Sequence, residues 1–141
     1  MIKNFRHVGI VVADMNSQLR FYKDLLGLEI YYNETEIGKF FDTILGLKKS
    51  CAKIYKLGRN NKTIVELIEF AFYSTPSHKR LKKTGITHFA ITVDNLDYLY
   101  DNYEGVIKFV SEPQISDDGK HKVCFCQDFE GNYIELVEIL K

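Results

Sequence analysis

Branched and aromatic residues alternate with other residues in two similar segments of the chain. Residues 5–14 and 86–95 both show this alternation, and both carry a histidine near the start, His7 in the first and His88 in the second. A period of two residues is typical of a β-strand with one buried face. The two segments therefore predict two equivalent strands, and they indicate that the chain contains an internal repeat.

A second repeated pair of segments supports this interpretation. Residues 64–69 and 133–138 match each other, and Glu66 in the first corresponds to Glu135 in the second. Each half of the chain thus begins with a histidine strand and ends with a glutamate strand. The first half is longer between its two signature strands, because it contains a short additional helix predicted over residues 37–45.

Helical spacing follows the first strand of each half. In the first half, Asn16 or Ser17 is the predicted N-cap, and Gly27 supplies the left-handed stop. The glycine and asparagine cluster at residues 58–61 suits a hairpin between two later strands. The apolar positions of the two main helices are Leu19, Tyr22 and Leu26 in the first half, and Leu96, Leu99, Tyr100 and Tyr103 in the second.

These elements predict an α+β fold built from two βαβββ modules. We expect a single domain over residues 1–141, with module one at about 1–70, a linker at about 71–85 and module two at about 86–141. The predicted later strands cover residues 28–32, 51–57 and 63–70 in module one, and 106–110, 120–127 and 133–140 in module two.

Composition and charge narrow the possible partners. A chain of 141 residues with 45% hydrophobic residues has enough apolar surface for a packed core. Lysine plus arginine and aspartate plus glutamate both number 19, so no overall field favours binding to nucleic acid or to anionic lipid. The longest apolar run near the start, residues 8–13, is too short for a membrane span, and no signal peptide is apparent. We therefore expect a cytoplasmic protein.

Two further features have structural and functional interpretations. The cysteines Cys51, Cys124 and Cys126 cannot all pair within one chain, which favours reduced, structural thiols over a metal or redox site. The basic segment His78–Lys83 suits a solvated connection, although it is also able to receive the phosphates of a substrate tail. His121 is expected at the surface, or bordering a pocket.

Strand parity places the four repeated polar residues on one face of the sheet. His7 lies on the face opposite Val8 and Ile10, and Glu66 lies opposite Val65 and Leu67. The same parity holds for His88 and Glu135 in the second half. Two carboxylates in a shielded pocket are costly unless a cation compensates them. The sequence therefore predicts one divalent metal held by His7, Glu66, His88 and Glu135.

Two imidazoles and two carboxylates favour Zn²⁺, Ni²⁺, Co²⁺, Fe²⁺ or Mn²⁺ over Ca²⁺, because histidine prefers transition ions. Such an ion would polarise a bound carbonyl oxygen and stabilise the negative charge that develops on it. Glu66 or Glu135 is then the predicted base for a proton next to that carbonyl. The sequence does not identify the residues that contact the substrate.

Four motifs resemble the vicinal oxygen chelate superfamily, the group of glyoxalase I, methylmalonyl-CoA epimerase, extradiol dioxygenases and fosfomycin or bleomycin resistance proteins. The likeness covers nearly the whole chain, and Phe129 stands where the family usually has a proline. The motifs are His7-Val8-Gly9-Ile10-Val11-Val12-Ala13-Asp14, Phe21-Tyr22-Lys23-Asp24-Leu25-Leu26-Gly27-Leu28, His88-Phe89-Ala90-Ile91-Thr92-Val93-Asp94 and Asp128-Phe129-Glu130-Gly131-Asn132-Tyr133-Ile134-Glu135-Leu136.

The resemblance implies that the two βαβββ modules form a cupped mixed sheet around a metal-binding cavity, and that the protein is a homodimer. The order His7, Glu66, His88, Glu135 is most similar to the ligand pattern of bacterial-type glyoxalase I. Superfamily epimerases usually have glutamine at the second position, and the dioxygenases and fosfomycin proteins use three protein ligands. The segment after Glu66 does not match the glyoxalase segment, so glutathione is not implied as co-substrate.

The favoured function is a metal-dependent lyase or isomerase of the glyoxalase I-like type, acting by proton transfer next to a carbonyl of a small substrate. One alternative is a methylmalonyl-CoA epimerase-like acyl-CoA epimerase, in which Lys79, Arg80, Lys82 and Lys83 receive phosphates. Another is a non-catalytic binding protein of the resistance type, in which the same pocket holds a small molecule without chemistry.

Overall fold

The computed structural model describes residues 1–72, 81–82 and 84–141. The chain divides into two compact units, Met1–Pro76 and Ser77–Lys141. Each unit contains a sheet of parallel and antiparallel strands with few helices, and the predicted α+β fold class is confirmed. That the two units enclose one cavity as a single domain stays a prediction.

The basic segment predicted to receive phosphates falls mostly outside the described residues. His78, Lys79, Arg80 and Lys83 are not described, whereas Leu81 and Lys82 are exposed. Within the described part of the chain, no helix is long and apolar enough to cross a membrane.

The first unit follows the predicted order of a strand, a helix, a strand, an inserted helix and a hairpin. Its first helix continues as a π-helical segment over Arg20–Leu25 before Gly27, at φ 72°, ends it as predicted. The elements are β1 (Val8–Val11), α1 (Met15–Leu19), β2 (Glu29–Ile37), α2 (Lys39–Leu45), β3 (Cys51–Arg59) and β4 (Lys62–Phe70).

The sheet of the first unit has the strand order β1-β4-β3-β2. The two signature strands, β1 and β4, are direct parallel neighbours, and Gly9 lies opposite Glu66 in their register. Strands β2, β3 and β4 are antiparallel. This topology places the strand that follows His7 beside the strand that carries Glu66.

The second unit repeats this plan without the inserted helix. Its strand order is β5-β9-β8-β6, and β7 pairs with β8. The signature strands β5 and β9 are again parallel neighbours, with Ala90 opposite Glu135. The elements are β5 (His88–Thr92), α3 (Leu96–Tyr103), β6 (Lys108–Phe109), β7 (Gln114–Ile115), β8 (His121–Gln127) and β9 (Tyr133–Ile139).

The predicted faces of the glutamate strands are confirmed by burial. Val65 and Leu67 on β4, and Ile134 and Leu136 on β9, are completely buried. Burying a large aliphatic side chain stabilises the fold by about 1.5–3 kcal/mol. These four positions therefore fix the side of each strand that faces the core, and with it the side on which the intervening glutamate lies.

The predicted cap of the first helix is wrong. The carboxylate of Asp14, rather than Asn16 or Ser17, accepts a hydrogen bond from the Ser17 backbone N–H at 3.0 Å. The helix begins at Met15, two or three residues earlier than a cap at Asn16 or Ser17 would allow. An aspartate at this position satisfies one of the amide groups that the first helical turn leaves unpaired.

Three other elements differ from their predicted form. Strand β2 runs five residues beyond the predicted end at residue 32, and the predicted strand over residues 106–110 is reduced to β6. The apolar face predicted for the inserted helix is only partly used. Phe41 is buried, whereas Phe40, Ile44 and Leu45 are exposed.

The turns that precede the two glutamate strands, β4 and β9, are built differently. Asn60 and Asn61 adopt left-handed conformations at φ 53° and 60°, as a two-residue hairpin turn requires. The turn before β9 is instead organised by the buried Asp128 carboxylate. It accepts hydrogen bonds from the backbone N–H groups of Glu130 and Asn132 and from the side-chain amide of Asn132.

Candidate metal centre

In the first unit, the predicted histidine and glutamate are neighbours across two strands. The Nε2 atom of His7 lies 3.5 Å from Oε2 of Glu66. The two side chains retain 23% and 16% of their exposure, respectively, so they are partly buried but accessible from one side. The parallel register accounts for the contact, because His7 and Gly9 share a face and Gly9 lies opposite Glu66.

The second unit forms the same pair at the same separation. The Nε2 atom of His88 lies 3.5 Å from Oε2 of Glu135, with 35% and 28% of the side-chain surfaces exposed. The hydroxyl of Thr87 lies 2.9 Å from Nδ1 of His88, so it is in hydrogen-bonding range of the other ring nitrogen. Such a contact orients the imidazole with Nε2 towards the carboxylate.

Each glutamate strand carries a second glutamate three residues later, on its other face. Oε1 of Glu69 accepts a hydrogen bond from the backbone N–H of Met15 at 2.9 Å, at the start of α1. Oε2 of Glu138 accepts one from Leu96 at 2.8 Å, at the start of α3. The repeated Glu-x-x-Glu spacing was visible in the sequence, and an odd spacing places the two carboxylates on opposite faces.

An additional charged residue lies beside the first pair. Lys56 is opposite Glu66 in the antiparallel register of β3 and β4, and its Nζ lies 3.5 Å from the same Oε2 that faces His7. The ammonium also lies 4.7 Å from the centre of the Tyr32 ring, within cation–π range. Sequence reasoning missed Lys56, because pairing of β3 with β4 was predicted without a register.

Tyr32 is itself held in place by a carboxylate. Its hydroxyl donates a hydrogen bond to Glu36. This hydrogen bond, with smaller contributions from desolvation and from the charges of Glu36, Glu34 and Glu66, raises the pKa of Tyr32 to about 12. Tyr32 therefore remains a neutral phenol at neutral pH.

The corresponding position in the second unit is aromatic. Phe125 lies opposite Glu135 in the register of β8 and β9, as Lys56 lies opposite Glu66. Its ring packs edge-on against His88 with the centroids 4.9 Å apart. An aromatic contact of this geometry is worth about 0.5–1.5 kcal/mol beyond area burial. The two His–Glu pairs thus have the same geometry and different neighbours.

The cysteines and His121 lie outside the two His–Glu pairs. Cys124 and Cys126 are buried free thiols on one face of β8, and desolvation raises their pKa to about 11 and about 12, respectively. Thiols with raised pKa are poor nucleophiles and poor metal ligands. Cys51 is also a free thiol, and the expectation of reduced cysteines stays a prediction. His121 is partly buried, and its backbone N–H donates to the Ser116 hydroxyl.

The donor chemistry of the two pairs fits a transition ion. Each pair offers an imidazole nitrogen and a carboxylate oxygen on the same side of a sheet. In the first pair, Nδ1 of His7 is buried and has no hydrogen-bond partner among the described residues. The same described residues contain no group of three or more His, Cys, Asp or Glu side chains placed to hold a metal. Binding of one cation by both pairs stays a prediction.

Comparison with solved structures shows the same fold. A glyoxalase family protein from Bacillus cereus superposes with a TM-score of 0.88 at 20% identity, covering 100% of this chain and 97% of that one. The trypanothione-dependent glyoxalase I of Leishmania major gives 0.64 at 22% identity, with 97% and 87% covered. The fosfomycin resistance protein FosX from Listeria monocytogenes gives 0.66 at 16% identity, with 99% and 96% covered.

Sequence comparison extends this result from fold to family. No curated protein matches the chain in sequence. In contrast, residues 4–136 match the family described as Glyoxalase/Bleomycin resistance protein/Dioxygenase superfamily, and this match includes all four predicted ligands and both repeated halves. The chain therefore belongs to the glyoxalase/bleomycin resistance protein/dioxygenase superfamily.

Proposed function

We propose that His7, Glu66, His88 and Glu135 together hold one divalent transition ion, and that the protein is a metal-dependent lyase or isomerase of the glyoxalase I-like type. The observation that carries the proposal is the repeated 3.5 Å contact between a histidine Nε2 and a glutamate Oε2 in both units. A side-chain pair that recurs with the same atoms and distance is better explained by a shared ligand role than by two unrelated ion pairs.

The chemistry divides between the cation and the chain. When bound, Zn²⁺, Ni²⁺, Co²⁺, Fe²⁺ or Mn²⁺ supplies Lewis acidity at a carbonyl oxygen. Glu66 or Glu135 accepts the proton from the adjacent carbon, because each carboxylate is partly buried and lies beside a histidine that orients it. The imidazoles of His7 and His88 would hold the cation through a ring nitrogen.

The substrate is proposed to be a small carbonyl compound, and the working form a cytoplasmic homodimer. Support for the substrate class comes from the similarity to a trypanothione-dependent glyoxalase I. Support for self-association comes from the exposed apolar side chains Phe40 and Ile44 on α2.

Both alternative functions use the same pocket. An acyl-CoA epimerase would need the basic segment, of which Lys82 is the basic residue within the described part of the chain. A non-catalytic binding protein of the resistance type would hold a small molecule in that pocket without turning it over. Turnover separates the enzymatic proposals from the binding proposal, and the substrate that is turned over separates the first two.

The proposal is tested by the number of metal ions that each chain binds. We expect one Co²⁺ per chain in calorimetric titration of the metal-free protein, and His7→Ala and His88→Ala should each weaken binding by about 100-fold. His121→Ala is the matched control, since it removes a partly buried histidine outside both pairs, and it should bind as the wild type does. Two ions per chain would mean that the pairs act separately.

Turnover is then measured with the loaded protein on hemithioacetals of α-ketoaldehydes and on acyl-CoA acids. Solvent deuterium should enter the carbon next to the carbonyl during the reaction. Loss of the general base should lower kcat by about 100-fold or more, so at least one of Glu66→Gln and Glu135→Gln must show this loss. Unchanged turnover in both metal-loaded variants would contradict the assignment of the base.

A further inference from the structure

The two candidate ligand carboxylates differ in the residue that lies opposite each of them. On β3, Lys56 faces Glu66, and its ammonium lies 3.5 Å from Oε2. On β8, Phe125 faces Glu135, and its ring packs on His88 instead. The strand register around the two glutamates is otherwise equivalent. The residue opposite the glutamate is therefore a difference between the halves that can be tested by itself.

Lys56 is held where it can act on Glu66. Its side chain retains 30% of its exposure, so its charge is only partly screened by water. The register opposite Glu66 places Lys56 on the same side of the sheet as Glu66, and the Tyr32 ring lies 4.7 Å from its ammonium. Oε2 of Glu66 therefore has two neighbours, the Nε2 of His7 and the ammonium of Lys56.

A carboxylate that moves off a metal needs another positive charge or strong hydrogen-bond donor, because an unpaired carboxylate in a partly buried site is costly. Lys56 supplies that charge to Glu66 without any rearrangement of β3. The ring of Phe125 supplies no such charge to Glu135. The cost of leaving the cation is therefore lower for Glu66 than for Glu135.

Resting on the proposed function, we propose that Lys56 is a positioning residue that competes with the cation for Glu66, and so makes Glu66 the labile carboxylate that accepts the substrate proton. Glu135 is then the ligand that stays on the cation. This assignment separates the roles of two glutamates that the His–Glu geometry alone leaves equivalent.

The competition predicts that removing the ammonium strengthens metal binding. Lys56→Met should tighten Co²⁺ binding by about twofold to fivefold, whereas Lys56→Arg, which keeps the charge, should bind nearly as the wild type does. Lys53→Met is the matched control, because Lys53 lies on the same strand and 3.5 Å from Glu69, which faces away from the candidate centre. Its Co²⁺ affinity should be unchanged.

A double-mutant cycle tests whether Lys56 acts through Glu66. Glu66→Gln should cost more Co²⁺ affinity in the Lys56→Met background than in the wild type, because the competing partner is absent there. Glu135→Gln should cost the same in both backgrounds. With metal saturating, Glu66→Gln should lower kcat by more than Glu135→Gln does.

Several outcomes would overturn the inference while leaving the proposed function intact. They are Lys56→Met binding Co²⁺ no more tightly than wild type, Lys53→Met tightening binding equally, or Glu135→Gln alone abolishing turnover in loaded protein. Failure of the wild-type chain to bind any divalent cation would instead remove the proposed function and the inference together. Thermal unfolding of each metal-free variant identifies those that have not folded.

Discussion

The two halves of the chain have the same backbone arrangement but carry different side chains beside the glutamate. Both place a histidine and a glutamate on parallel neighbouring strands, with the same 3.5 Å separation between the same atoms. Beside the glutamate, however, the first half has the charged Lys56 and the second has the aromatic Phe125. The strand register therefore determines that the histidine and the glutamate are in contact. The residue on the adjacent strand determines the charge beside that pair.

The comparison extends to the turns that precede the two glutamate strands. In the first half, the backbone makes the turn through a close approach at Gly58, where the β3–β4 register also shifts. In the second half, the Asp128 carboxylate makes it through three hydrogen bonds. The first turn requires a residue without a side chain at position 58, whereas the second depends on the carboxylate of Asp128.

The largest expected effect comes from breaking the first of these turns. A Cβ atom at Gly58 would lie 1.8 Å from the backbone oxygen of Lys62, so the strands must separate. Gly58→Ala should lower the free energy of unfolding by about 3 kcal/mol in a urea titration. Gly105→Ala, at a position with open space and an ordinary φ, is the control and should be nearly neutral. Equal effects at both glycines would contradict the steric argument.

A smaller and symmetric effect is expected from the capping glutamates. Glu69→Ala and Glu138→Ala each remove a hydrogen bond to the first amide of a helix, Met15 or Leu96. Each should lower the free energy of unfolding by about 1 kcal/mol, because loss of a helix cap typically costs that amount. Urea titrations of the two single variants and the double variant provide the measurement.

Equal and additive losses in that series would support equivalent roles in the two halves. A much larger loss for one glutamate would show that the internal repeat is not energetically symmetric.

The smallest effect concerns acid stability. Hydrogen bonds from the backbone N–H groups of Ser50 and Lys49 lower the pKa of Asp42 below its usual 3.8, and the Ser116 hydroxyl and Lys120 N–H do the same for Asp118. A lowered pKa means that folding favours the ionised carboxylate. The resulting stability is present above pH 3.8 and is lost as the pH falls through the lower folded-state pKa.

Asp42→Asn and Asp118→Asn should therefore each flatten the fall of melting temperature below pH 3.8, and leave the slope near neutrality unchanged. Circular dichroism melts across this pH range provide the measurement. A steeper fall of the melting temperature at acid pH in either variant would contradict the lowered pKa of that aspartate.

Strand parity made much of the candidate centre predictable. Alternation identified the buried face of Val65 and Leu67, and the repeat then placed Glu66 and Glu135 on the other face. Both His–Glu contacts follow from parallel pairing of the first and last strands in each half. These features are local or repeated, so a single sequence contains the information.

The rest depended on pairing that a single sequence does not specify. Lys56 faces Glu66 only because β3 pairs with β4 in one particular register, which includes a shift next to Gly58. The inserted helix α2 has an amphipathic pattern, yet Phe40 and Ile44 are exposed, because periodicity identifies an apolar face without specifying what covers it. The cap at Asp14 was missed since Asp14, Asn16 and Ser17 are all residue types suited to an N-cap.

The spacing of the paired glutamates links the two sides of each sheet. Glu66 points to the candidate centre, and three residues later Glu69 holds the first amide of α1 on the opposite side. A small displacement of β4 along its own axis would therefore be transmitted to that helix end. Hydrogen exchange at the Met15 amide therefore reports on β4 from the side of the sheet opposite the candidate centre.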